Sequence, residues 1–132
     1  MRVLAIDHGT VRCGCAVSDP TGVLVTPLAA IAPESSGVRD LVVEHGVEAV
    51  VVGLPRNLSG DEGEQAAIAR GFAEELQRVL EIPVELYDER LTTAMADQSA
   101  REGATADRDS LAAAHLLEGW LAARGDGADG SD

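Results

Sequence analysis

Acidic side chains follow predicted strands at two places in this chain and open a predicted helix at a third. Asp7 ends the first apolar run, Asp88 and Glu89 end the last predicted strand, and Asp109 begins the final helix. Ligands bind at the carboxyl ends of parallel strands, so these acids are candidates for one site. Crowded carboxylates need a cation, and oxygen ligands favour Mg²⁺ or Mn²⁺. Two such ions would activate a water molecule to attack a phosphodiester. If these acids converge, the sequence therefore predicts metal-assisted phosphodiester hydrolysis.

Each of these acids also has an ordinary structural explanation. Asp109, taken alone, is better explained as a helix N-cap. Asp88 and Glu89 can pair with Arg90 or cap the following helix, and Asp7 can hydrogen-bond its own backbone in a turn. The sequence does not decide between these explanations and a shared site.

Candidate phosphate contacts lie in two loops. Residues 53–60 follow a buried strand and offer backbone N–H groups, the Arg56 guanidinium and the Asn57 amide. A turn shaped by proline and glycine explains this segment about as well. Gly9 would allow a phosphate to approach the backbone closely, and Thr92 either caps a helix or contacts a substrate hydroxyl.

The composition limits the classes of function. The 132 residues carry 10 basic and 23 acidic side chains, for a net charge of −13, which argues against a simple basic-patch nucleic-acid binder. All the basic residues are arginines, which grip phosphate by a planar fork. One Phe, one Tyr and one Trp are too few for a base-stacking platform. No apolar run is long enough for a membrane span.

The two cysteines and the N-terminal residues predict the cellular compartment and its redox state. Cys13 and Cys15 are too close for an unstrained disulfide and too few for a zinc site, so both are expected to be small core residues. Asp7 lies too early for a secretory signal. A reduced cytoplasmic environment is therefore expected.

Hydrophobic spacing predicts one domain over 1–124 and a flexible acidic tail over 125–132. Ser35 or Ser36 is expected to cap the first helix and Gly46 to end it. The elements predict an α/β fold, with a mixed five-stranded sheet that starts as an antiparallel meander and carries helices on its faces. The strands are expected at 3–6, 13–18, 23–31, 49–54 and 83–87, and the helices at 33–46, 65–80, 92–102 and 107–123.

Four ordered segments resemble one family. They are Ala-Ile-Asp-His-Gly-Thr at 5–10 with Gly-Cys-Ala-Val-Ser at 14–18, Val-Gly-Leu-Pro-Arg-Asn-Leu-Ser-Gly at 52–60, Tyr-Asp-Glu-Arg-Leu-Thr-Thr at 87–93, and Asp-Ser-Leu-Ala-Ala-Ala-His-Leu-Leu at 109–117. Each motif is loose, but four in this order are specific. They resemble the YqgF family, also called RuvX, which consists of bacterial ribonuclease H-like proteins described as pre-16S rRNA nucleases or Holliday junction resolvases.

This resemblance implies a ribonuclease H-like fold and a metal site that uses Mg²⁺ or Mn²⁺. The implied catalytic acids are Asp7, Asp109 and one of Asp88 and Glu89, of which Glu89 is preferred; all four are candidate metal ligands. The candidate substrate-binding residues are Gly9, Thr10, Arg12, Arg56, Asn57, Arg90, Thr92, Arg108 and Ser110. The implied reaction is hydrolysis of structured nucleic acid, at the 5′ end of precursor 16S rRNA.

Some features depart from the family pattern. Cys15 stands where valine is usual, and Arg12 and Arg108 are the nearest cations where the family often carries lysines. The Cys15 change is conservative in a core strand. The absence of the lysines bears on how the nucleic-acid backbone is gripped and leaves the metal site untouched.

Three other functions fit parts of the sequence. A resolvase of branched DNA would use the same chemistry. Symmetric cutting of a junction would require a homodimer, whereas a protein that processes rRNA can be a monomer. A non-catalytic module on a ribosome-assembly particle would apply if the acids do not converge. The Asp-x-Gly-Thr segment also resembles the phosphate loop of sugar kinases, but those proteins need two lobes and this chain supplies one.

Overall fold

The computed structural model describes residues 1–55, 63–89 and 108–131, and within the last helix it describes the side chains of 110–124. The elements are β1 Val3–Asp7, β2 Cys13–Ser18, β3 Val25–Ile31, α1 Ser35–His45, β4 Ala49–Leu54, α2 Glu64–Val79, β5 Val84–Asp88 and α3 Arg108–Ser131. They form the α/β arrangement that the sequence predicts, with a five-stranded sheet in the order β3-β2-β1-β4-β5.

The sheet is mixed. β1 pairs antiparallel with β2, and β2 with β3, which confirms the predicted meander. β4 lies parallel to both β1 and β5, as its continuous apolar sequence predicts for a central strand buried on both faces. Because β1, β4 and β5 run in the same direction, Asp7, Leu54 and Asp88 all end at one edge of the sheet. We refer to this edge as the carboxyl edge.

Helices cover both faces of the sheet, because alternate strand residues point to opposite sides. On one face, Leu4 and Ile6 of β1 join a core that includes Val38 of α1 and Phe72 and Leu76 of α2. We call this the α1–α2 face.

The other face belongs to the last helix. Val3 and Ala5 of β1 and Val51 of β4 pack there with Leu116 and Leu117 of α3. We call it the α3 face. The odd-numbered residues of β1 and β4 therefore point toward α3, and Asp7 and Gly53 continue this series.

β3 begins two residues later than the predicted start at 23. The reason is the turn before it, where one carboxylate oxygen of Asp19 accepts hydrogen bonds from the N–H groups of Val23 and Leu24, at 2.9 and 3.1 Å. These amides are held by a side chain and do not enter the sheet. An aspartate in a turn commonly bonds the backbone in this way.

The C-terminal end of α1 agrees with the prediction from the sequence, and the N-terminal cap does not. Gly46 ends the helix in the left-handed conformation at φ 63°, as predicted. The capping prediction for Ser35 and Ser36 was wrong: both lie inside the helix, and Glu34 occupies the N-cap without a side-chain cap bond.

The last helix is longer than predicted. α3 continues to Ser131, through most of the segment where the sequence predicts a tail. Once a helix is nucleated, each further residue adds one backbone hydrogen bond, so a weak helix former can extend it. The predicted helix at 92–102 lies outside the described residues. Within the described part of the chain, no helix has the length and apolar character needed to cross a bilayer.

Candidate active site

Asp7 and Glu89 meet at the carboxyl edge of the sheet. The Glu89 carboxyl is largely buried, hydrogen-bonds to Asp7 and also feels the charge of Asp88. Burial, followed by the charge of Asp7, raises the pKa of Glu89 to about 8. A proton held between two carboxyl groups is the expected state when like charges share a site without a cation. We call these two residues the carboxylate pair.

Glu89 reaches Asp7 across β4. A Cβ placed on Gly53 would lie 2.9 Å from both Cγ and Cδ of Glu89 and 3.2 Å from a methyl carbon of Leu116. The Glu89 side chain therefore lies on the α3 face, the face to which Asp7 belongs. Asp88 follows Leu86 by two residues on β5, and Leu86 packs on the α1–α2 face. This geometry favours Glu89 over Asp88 as the partner of Asp7.

The beginning of α3 is attached to the sheet beside this site. The Cys15 N–H donates a hydrogen bond of 3.1 Å to the Ser110 hydroxyl, and both residues are fully buried. Cys15 lies opposite Ile6, one residue before Asp7 in the β1–β2 pairing. Since Asp109 precedes Ser110, the backbone of α3 begins on the same face and near the same edge as the carboxylate pair. The side chain of Asp109 lies outside the described residues.

Ser110 is thus an anchor for α3 in this structure. Its side chain has no exposed surface, and its hydroxyl already accepts a backbone hydrogen bond. The substrate contact that the sequence suggested at Ser110 stays a prediction.

His8 points away from the carboxylate pair. Its ring packs against Phe72 of α2 on the α1–α2 face, with the ring centroids 4.7 Å apart and the planes tilted by 54°. Burial lowers the pKa of His8, and the nearby charge of Asp7 opposes this effect without overcoming it. The ring is therefore held neutral near pH 7, where it packs as an apolar group.

The loop from β1 to β2 borders the site. Thr10 and Arg12 are exposed there, close after Asp7. A Cβ on Gly9 would lie 2.5 Å from the Arg12 carbonyl oxygen, so the chain itself makes the close approach that the sequence suggested for a phosphate. Glycine at this position allows the loop to turn back closely on itself.

Several predicted site residues cannot be compared with the structure. Arg56, Asn57, Arg90 and Thr92 lie outside the described residues, as does the side chain of Arg108. Among the side chains that are described, no three His, Cys, Asp or Glu residues form a group able to hold a metal ion.

The carboxylate pair nevertheless has the chemistry of a site for a hard cation. Its donors are carboxylate oxygens, which Mg²⁺ and Mn²⁺ prefer. Burial first, and then the charge of Asp7, make a negative charge on Glu89 costly and raise its pKa, and a divalent cation would offset that cost.

Two features of the site were missed in the sequence. The space over Gly53 that Glu89 fills is indicated in the sequence, because a glycine interrupts the apolar strand Ala49–Leu54. The bond between Cys15 and Ser110 has no such indication, because a serine at the start of a helix usually suggests a cap.

Comparison with known proteins agrees with this architecture. The family model described as "RuvX: Holliday junction resolvase" matches residues 1–123. A protein of Rhodococcus erythropolis named "Putative pre-16S rRNA nuclease" is 43% identical, covering 91% of this chain and 77% of that protein. A Moorella thermoacetica protein of the same name is 39% identical, covering 92% of this chain and 94% of that one.

Solved structures support the fold. RuvC of Thermus thermophilus in complex with a Holliday junction substrate aligns with a TM-score of 0.64 at 18% identity, covering 94% of this chain and 95% of that one. The fowlpox virus Holliday junction resolvase aligns with a TM-score of 0.54 at 11% identity. The predicted ribonuclease H-like fold is confirmed, and the chain belongs to the RuvX family.

Proposed function

We propose that this protein is a metal-dependent nuclease that hydrolyses phosphodiesters of structured nucleic acid. The observation that carries the proposal is the carboxylate pair, in which Asp7 and Glu89 share a hydrogen bond at the edge where parallel strands end. Such an arrangement is costly for the free protein, and a bound cation would relieve it.

Asp7 and Glu89 would hold Mg²⁺ or Mn²⁺, with Asp109 as a third ligand from the start of α3 and Asp88 as a further candidate. When bound, such ions lower the pKa of a coordinated water and stabilise the leaving oxygen. The protein's own part is to hold the carboxylates in place: strand β1 fixes Asp7, β4 supports Glu89, and the Ser110 hydroxyl fixes the start of α3.

The substrate contacts follow from the same geometry. Thr10 and Arg12 lie exposed beside Asp7 and would contact a phosphate next to the cleaved bond. Arg56, Asn57, Arg90, Thr92 and Arg108 stay predictions from the sequence. The guanidinium groups of Arg56, Arg90 and Arg108 would make the local field at the site positive although the whole chain is acidic.

The substrate that we favour is the 5′ end of precursor 16S rRNA, cleaved in the cytoplasm during ribosome assembly. The Rhodococcus and Moorella relatives named above support pre-16S rRNA as the substrate, since both are named for it. The description of the family model favours a second candidate, a four-way DNA junction, which would require a homodimer for symmetric cutting.

A comparison of substrates tests these candidates. Labelled RNA spanning the precursor 5′ end and a synthetic four-way junction would be incubated with the protein in Mg²⁺, in Mn²⁺ and in chelator. We expect metal-dependent cleavage of the RNA, at least about tenfold faster than that of the junction, a difference of about 1.4 kcal/mol in activation free energy.

The other outcomes are informative too. Preferential cleavage of the junction would replace the first candidate with the second. Cleavage of neither substrate in either metal would contradict the nuclease proposal and leave a non-catalytic role on ribosome-assembly particles.

A further inference from the structure

Gly53 lies near the end of the central strand β4, directly beneath the Glu89 side chain. β4 pairs on one side with β1 and on the other with β5, so Gly53 lies between the strand that carries Asp7 and the strand that leads to Glu89. Glycine weakens a strand relative to alanine, so its presence here needs a reason.

Backbone conformation does not supply that reason. Within the described part of the chain, the glycines with positive φ are Gly22 and Gly46, and Gly53 is not among them. The register from Val50 to Leu54 against β5 is also continuous, with Gly53 opposite Tyr87 and no bulge. Alanine could adopt the Gly53 backbone without strain.

Space supplies the reason. A Cβ at this position would lie 2.9 Å from two carbons of Glu89, closer than real Cβ contacts come. Leu116 closes the same space from the side of α3, because its methyl carbon lies 3.2 Å from that Cβ position. The Glu89 side chain therefore runs through a slot that has the bare backbone of Gly53 as its floor and Leu116 as a wall.

We propose that Gly53 is a positioning residue for the reaction, because the absence of a side chain there allows Glu89 to cross β4 and meet Asp7. Any side chain at position 53 moves the Glu89 carboxylate toward the end of β5 and away from its partner. Gly53 touches no reacting atom and acts through Glu89 alone. This inference rests on the proposed function of the carboxylate pair.

The substitution Gly53→Ala tests the inference with two readouts. We expect kcat to fall about 10- to 100-fold, since displacement of a catalytic group by about 1 Å costs up to about that factor. In the metal-free protein, the pKa of Glu89, followed by NMR of its side-chain carboxyl carbon, should fall part of the way toward its ordinary value. Burial is the largest cause of the raised pKa, and the displacement removes the further contributions of the Asp7 charge and hydrogen bond. The melting temperature should not fall, because the strand gains alanine and the two carboxylates separate.

Gly71→Ala is the matched control. Gly71 lies in α2, and a Cβ placed there meets nothing within 4 Å. This variant should keep the kcat and the Glu89 pKa of the unaltered protein.

Two outcomes would overturn the inference. One is a Gly53→Ala protein that keeps both its kcat and its raised Glu89 pKa. The other is a Gly53→Ala substitution that lowers the melting temperature, and lowers it by the same amount when Glu89 is already replaced by alanine. The added methyl group would then disturb something other than Glu89. If the unaltered protein cleaves no nucleic acid, the proposed function fails, and the NMR titration still decides whether Gly53 positions Glu89.

Discussion

Asp7→Asn is expected to reduce metal-dependent cleavage by about a thousandfold or more while the fold survives. Asparagine keeps the shape of the side chain but removes the charge that would bind the cation, and a bound metal contributes several kcal/mol of transition-state stabilisation. The same change removes the negative charge that Glu89 faces, so Glu89 should ionise at lower pH. The metal-free variant should therefore melt no lower than the unaltered protein near pH 7.

Asp40→Asn is the matched control for this experiment. Asp40 is an exposed carboxylate on α1, so its replacement makes the same change in net charge away from the carboxyl edge. Cleavage rates and melting temperatures in Mg²⁺ and in chelator would be compared for the three proteins. An Asp7→Asn protein that cleaves as fast as the control would refute the proposed role of the carboxylate pair.

Metal binding is expected to strengthen as the pH rises toward 8. Glu89 must lose its proton to bind a cation, and its pKa in the metal-free protein is raised to about 8. Below that pH, the affinity for Mg²⁺ should improve by up to about tenfold for each pH unit, and above it the affinity should level off. Calorimetry in buffers of different ionisation enthalpy should detect nearly one proton released per protein at pH 7.

The stability of the metal-free protein should change in the opposite direction. Because the pKa of Glu89 is higher in the folded chain than in the unfolded one, folding takes up a proton between these two values. The stabilisation from protonated Glu89 is complete below pH 4.5 and is lost as the pH rises through about 8. Melting temperatures in chelator should fall over that range, and saturating Mg²⁺ should reduce the fall. A Glu89→Gln protein should lack this part of the dependence, and an unchanged pH profile in that variant would contradict the assignment.

Much of the fold could be predicted because hydrophobic spacing reflects burial directly. The run Ala49–Leu54 is apolar throughout, and it became the central parallel strand with the predicted bounds. Gly46 predicted the end of α1 because few other residues adopt the left-handed conformation. The start of β3 could not be predicted, since it depends on which amides the Asp19 carboxylate holds.

The candidate site was predictable in part, for a similar reason. Acids at the ends of parallel strands must share an edge, so the meeting of Asp7 with the segment at the end of β5 follows from topology. The preference for Glu89 over Asp88 came only from resemblance to a family. Its physical basis is the space above the Gly53 backbone that Glu89 fills, which is bordered by Leu116 of α3, a residue distant in the sequence.

The hydrogen bond between Cys15 and Ser110 joins residues 95 positions apart, and this separation has a consequence for synthesis. A chain made from its N-terminus acquires Asp7 well before α3. Until α3 is made, nothing covers the α3 face of the sheet, where Val3, Ala5, Ala16 and Val51 lie. The hydrogen bond from Cys15 to Ser110 cannot form before then. A chain synthesised only as far as β5 would therefore carry an incomplete candidate site.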